Sequence, residues 1–129
     1  IGLQRNLGNG RFIVSRDVLE IALPEQASAS IALSLYAPST EEFNNSVAEN
    51  GYYDFMQRGG WIASPADMEH LRLRKQSVYM MKEGSVFPFD ENPPAMVVRG
   101  QVLDVTPDYQ TLNHPVWRDG KGVFLPIKA

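Results

Sequence analysis

The sequence predicts an α+β domain: a mostly antiparallel sheet of five or six strands, with two helices from the middle of the chain packed on one face. Three observations lead there. β-branched and aliphatic runs lie before Pro38 and after Ser77, helix start signals lie between them, and the order is segregated, without the strand–helix alternation that parallel sheets need. At 129 residues the chain has the size of one domain, read as a mobile arm over 1–10 and a single globular domain over 11–129.

Taken in order, Gly2, Gly8 and Gly10 around Asn6 and Asn9 favour a frayed arm with a turn at Gly8-Asn9-Gly10. Phe12, Ile13, Val14, Val18, Leu19, Ile21 and Leu23 then read as one long bent strand or two short ones, ended by Pro24. Ser30 to Tyr36 alternates as a half-buried strand, with Ile31, Leu33 and Leu35 on one face and Ser30, Ala32, Ser34 and Tyr36 on the other. Ser39 followed by Glu42 has the spacing of a capping box, in which each residue satisfies an N–H of the other, so a helix starts near Thr40 and stops at Asn50-Gly51. The aromatic group Tyr52, Tyr53, Phe55 and Met56 is assigned to a short helix broken by Gly59-Gly60.

A second start signal at Ser64-Pro65-Ala66-Asp67 opens a helix to about Gln76, although His70 to Arg74 also reads in alternation and sets strand against helix from His70 to Met81; a strand follows. Val86-Phe87 is a short strand, and Pro88 with 90–94 forms a loop. Ala95 to Val105 is the longest β-rich run, with a conflict of phase at Gly100 that predicts a bulge or a close backbone approach. A loop over 106–122 leads to a closing strand, Val123 to Ile127.

Fifteen acidic against twelve basic residues give a net charge of −3, which disfavours generic binding to nucleic acid or anionic membranes. The absence of cysteine removes disulfides, thiolate nucleophiles and cysteine-based metal sites. It leaves the compartment open, cytoplasmic and periplasmic locations both being compatible. No apolar run reaches the roughly 18 residues of a membrane span. The chain opens on Ile1 without a signal-like segment, which suits the soluble part of a larger or membrane-anchored protein.

Walker, GxGxxG, HExxH, GxSxG and EF-hand motifs are absent. His70 and His114 stand far apart, so neither a metal nor any other cofactor is expected. Asp90, Glu91, Asp104 and Asp108 have no spacing that fixes a carboxylate pair and read as solvated. In the 113–120 loop His114 and Asp119 would act as base and orienter of a small hydrolase or lyase. The preferred structural reading is a loop pinned by a buried Trp117, with a tight turn at Asp119-Gly120.

Tyr52, Tyr53, Phe55, Arg58, Trp61, Arg72 and Arg74 form the candidate partner-binding patch, since aromatic residues and arginine are enriched where proteins meet. Its rings and cations are also the ingredients of single-strand nucleic-acid binding. The leading expectation is a non-enzymatic protein-interaction or assembly domain that binds a protein partner or a second copy of itself, with no nucleic acid. The small enzyme is the alternative, and single-stranded nucleic-acid binding is the third reading.

Overall fold

The alternating run at Ser30–Tyr36 folds with its small residues inward. A computed structural model of the chain describes residues 13–44, 50–62, 73–88, 95–108, 112 and 114–128. In it strand β1 (Ala29–Ala32) buries Ser30 and Ala32, whereas Ile31 is half-buried and Leu33 is exposed. The neighbouring strands explain this inversion. β4 (Val86–Pro88) and β8 (Gly122–Ile127) flank β1 on either side, both antiparallel, and set Phe87 opposite Ser30 and Phe124 opposite Ala32. Residues opposed across a ladder share a face, so two large rings occupy the space that small residues on β1 leave.

β5 (Val97–Arg99) pairs with the far edge of β8, completing a four-stranded antiparallel sheet in the order β4-β1-β8-β5. Its inner face holds the core of Ala32, Tyr36, Met81, Phe87 and Phe124, with Tyr53 and Val97 packed against it. Tyr36 meets Phe124 and Phe87 edge-on at centroid distances of 4.9 and 5.7 Å, a geometry aromatic quadrupoles favour. The outer face carries Ile31, Val86, Val98, Val123, Leu125 and Ile127, all aliphatic and none fully buried.

Two smaller antiparallel pairs complete the described strands. β2 (Phe55–Arg58) pairs with β3 (Val78–Met81), and β6 (Val102–Asp104) pairs with β7 (Trp117–Asp119). The only named helix among the described residues is α1 (Thr40–Glu42). The protein is therefore mostly β, and the expected two helices on one face of a sheet are corrected. The aromatic group at Tyr52–Met56 enters a strand where a short helix was expected. The start signal at Ser64–Asp67 lies outside the described residues. Its expected continuation to Gln76 does not form, because Leu73 to Lys75 is extended and pairs with Gly60 to Ile62. The arm over 1–10 and its Gly8-Asn9-Gly10 turn also lie outside the described residues, and residues 13–23 form no strand.

The capping box does form. Ser39 N–H donates to Glu42 Oε2 at 2.7 Å, and Glu42 N–H donates to Ser39 Oγ at 3.2 Å. The same carboxylate reaches across the fold, accepting from Gly100 N–H at 3.0 Å and from the buried Tyr36 hydroxyl. Gly100 separates β5 from β6 with φ +104°, so the single long run expected there is two strands in different sheets. The predicted close approach is present: a Cβ on Gly100 would stand 2.6 Å from Gly120 O and 2.9 Å from Ala37 O. One on Gly120 would stand 2.6 Å from both Ala37 Cβ and Gln101 O. Ala37 N–H donates to Gly120 O at 2.8 Å, Gln101 N–H to Ala37 O at 3.0 Å and Gly120 N–H to Gln101 O at 3.1 Å, which locks the three segments together.

Partial burial pushes the Glu42 carboxyl up, but the N–H groups of Ser39 and Gly100 and the hydroxyls of Ser39 and Tyr36 outweigh it and hold the group below its ordinary range. Burial, and then the adjoining Glu42 charge, push the Tyr36 phenol above its ordinary range. A depressed carboxyl adds stability that is present above the unfolded value and lost as pH falls through the folded one. A raised phenol adds stability that is present below its unfolded value and lost as pH rises beyond it. Chemical denaturation should therefore show stability falling below about pH 4.5 and above about pH 10, the ordinary values of the two groups. Glu42→Gln should flatten the acid limb. Gly100→Ala, which combines a positive φ with backbone contact, should cost about 2–4 kcal/mol in the same measurement.

Candidate functional site

Four of the seven residues of the predicted patch, Phe55, Arg58, Trp61 and Arg74, stand on one long β-ribbon. The pairing of β2 with β3 extends at both ends. Lys82 N–H donates to Asp54 O at 2.9 Å near the sheet; farther out Lys75 N–H donates to Gly60 O and Ile62 N–H to Leu73 O, each at 2.9 Å. From Asp54 to Ile62 this ribbon runs roughly 25–30 Å at about 3.3 Å per residue. Arg58 lies opposite Val78, but Trp61 lies opposite Arg74, so two residues on one strand face three on the other. This bulge coincides with Gly59-Gly60, where Gly60 has φ +135° and Gly59 leaves 3.0 Å between a would-be Cβ and Ser77 Oγ.

Distance from the core decides which side chains the ribbon offers. Met80 and Met81 are buried, while Tyr79 between Val78 and Met80 stands 66% exposed opposite Gln57. Beyond the bulge the Arg74 guanidinium lies over the Trp61 ring at 5.4 Å from its centroid, and the indole is 59% exposed. Arg58 is exposed and Lys75 half-buried on the same ribbon. Phe55 is partly exposed and meets Tyr53 edge-on at 5.4 Å. Tyr53 is turned inward, stacked on Phe87 at 6.1 Å, and leaves the patch for the core. Tyr52 sits at the root, held by its N–H to Val86 O at 2.8 Å and the Val86 N–H to its own carbonyl at 2.9 Å, with its ring 82% exposed. Arg72 lies outside the described residues. Tyr79 was missed because it stands inside the apolar run Val78–Met81, where no alternation marks it out.

Two contacts anchor the ribbon to β6 and β7. Arg118 on β7 donates through Nη2 to Gly59 O at 2.9 Å, at the bulge, and Gln76 N–H donates to Val105 O at 2.9 Å. Asp54 also forms an ion pair with Lys82. The hydrogen bond from Lys82 and the N–H of Phe55 hold the Asp54 carboxyl below its ordinary range.

The alternative site does not assemble. His114 Nδ1 lies 3.1 Å from Pro115 O, and the Asp119 carboxylate accepts from Lys121 N–H at 2.9 Å, so Asp119 serves its own turn. No hydrogen bond joins His114 to Asp119 among the described residues. Trp117, expected to be buried, is exposed on β7. Among the described residues no three His, Asp or Glu side chains gather as metal ligands, and no helix is long and apolar enough to cross a membrane. His70 lies outside them.

The described strands all pair antiparallel, and the β2–β3 ribbon carries the aromatic and cationic side chains. Residues 25–127 match the family described as the CRISPR Csm4 C-terminal domain. The chain belongs to that family. No curated protein matches it. CRISPR effectors are RNA-guided, so the family overturns the expected interaction domain working without nucleic acid, and the expectation that nucleic acid is no partner.

The ribbon separates surface from core sharply enough to test by stability alone. Trp61→Ser should change the unfolding free energy by under about 1 kcal/mol, the scale of one exposed cation–π contact. Met81→Ala, at a fully buried position of the core, should cost about 2–5 kcal/mol. Urea titrations of the two variants beside the parent chain measure both.

Proposed function

We propose that this chain works as the C-terminal domain of a Csm4 subunit in a CRISPR effector complex, and that its β2–β3 ribbon contacts the guide RNA held there. The exposed Trp61 ring beneath the Arg74 guanidinium carries the reading. Aromatic faces accept any base by stacking, and adjoining cations answer the phosphates, which together suit a single strand held without sequence choice. Tyr79 offers a second ring, and Arg58 and Lys75 offer further charge along the same ribbon. The chain's overall net charge of −3 does not oppose this, because screening confines the phosphate interaction to about 10 Å around the local cations. The residues first singled out as a protein-binding patch are thus assigned to RNA.

Fluorescence anisotropy with a short unstructured RNA tests it. The parent chain should bind with an affinity that falls as salt rises. Trp61→Ser should weaken binding about 5- to 100-fold, the range given by about 1–3 kcal/mol of stacking per base. Arg74→Ala should lower the salt slope by about 0.7, the single-strand value for one phosphate contact. Unchanged affinity in both variants would place the RNA elsewhere on the molecule.

A further inference from the structure

Among the described residues a dense run of exposed aliphatic side chains lies off the ribbon, in the segment that leads into β1. Ile13 is 99% exposed, Val18 86% and Leu19 82%, and Val14, Ile21 and Leu23 are exposed as well. Six large aliphatic side chains within eleven consecutive residues is far more than scattered surface hydrophobicity accounts for. Residues 13–23 form no helix or strand. Among the described residues its one hydrogen bond is local, from Val18 N–H to Asp17 Oδ1 at 2.9 Å; none ties it to the domain. The family match begins only at residue 25, after this segment.

Composition says what would satisfy it. From Val18 to Leu23 the odd positions are Leu19, Ile21 and Leu23 and the even ones Val18, Glu20 and Ala22, the pattern of a strand with one strongly apolar face. Six residues is an ordinary strand length. Aliphatic side chains have no flat face for a base to stack on, and the segment's one cation, Arg16, is offset by Asp17 and Glu20, so the partner is protein and not RNA. An extended apolar segment with a free backbone is completed by pairing to a sheet edge, which satisfies its N–H and C=O groups while its side chains fill a core.

Resting on the reading of the chain as the C-terminal domain of a Csm4 subunit, we infer that Val18–Leu23 is a β-strand of the protein body that precedes this domain in that subunit. Pro24 to Ser28 span at most roughly 17 Å, so that body is tethered close to β1. Near its point of attachment lies the aliphatic outer face of the four-stranded sheet, where Ile31, Leu125 and Ile127 offer it adjoining apolar surface. The strand and its tether therefore give this domain a defined seat instead of a free linker.

Amide hydrogen exchange on the full-length subunit decides the matter. The amides of 18–23 should exchange on the order of 100-fold or more slower than in a free peptide, as in a paired strand. The 129-residue chain alone should show no such protection. Leu19→Asp combined with Ile21→Asp should abolish the protection in the full-length subunit, yet leave the melting of the 129-residue chain unchanged. Peptide-like exchange in the full-length subunit overturns the inference. Protection already present in the 129-residue chain assigns the strand to this domain or to a second copy and overturns it too, as does protection that appears only when other subunits are added. RNA binding through Trp61 and Arg74 is read separately, so either result can fail while the other stands.

Discussion

Everything in this fold depends on three backbones meeting where there is no room for a side chain. Ala37, Gln101 and Gly120 exchange hydrogen bonds of 2.8–3.1 Å, and the contacts tolerate glycine alone at positions 100 and 120. The Glu42 carboxylate holds the same crossing from the side, tying α1 to Gly100 and to the Tyr36 hydroxyl. Taking a carboxylate even partly out of water is costly unless its lone pairs are filled, and here four donors fill them. The capping box is thus a local motif put to non-local use: it presents a charged acceptor to a glycine 58 residues away.

The crossing connects the sheet to the ribbon. Tyr36 exchanges hydrogen bonds with Met81 at 2.7 and 3.0 Å, so the end of β3 is registered on the same residue whose ring centres the core. At its bulge the ribbon is gripped again by Arg118, from the strand that leads into Gly120 at the crossing. A projecting two-stranded ribbon is marginal alone. This one is fixed at its root and at its middle, which lets it carry exposed rings beyond the bulge without collapsing onto the domain.

Legibility in the sequence followed the range of the interaction. Ser39 and Glu42 could be paired from spacing because a capping box closes within one turn, and Gly100 announced itself through broken alternation. The inward face of Ser30 and Ala32 could not be read, since it is decided by the volumes of Phe87 and Phe124, far along the chain on two other strands. Leu73 to Lys75 favoured a helix by local signals and became extended by pairing with Gly60 to Ile62. The patch was singled out because Trp61 and Arg58 lie close in sequence. Nucleic acid was set aside as a partner because a net charge averaged over 129 residues conceals the local grouping of Arg58, Arg74 and Lys75.

Side-chain type then divides the surface between two kinds of neighbour. Planar rings beside cations occupy the ribbon, and a nucleic acid gains from both, through stacking and through charge. Branched aliphatic groups occupy the 13–23 segment and the outer sheet face, and these gain only from removal of water, at roughly 25 cal/mol per Å² buried. A phosphate backbone brings water with it and cannot supply that gain, whereas a protein strand or sheet face can. Because the two kinds of surface stand on different elements, a domain that held RNA on its ribbon would keep its entering segment and outer sheet face available to protein.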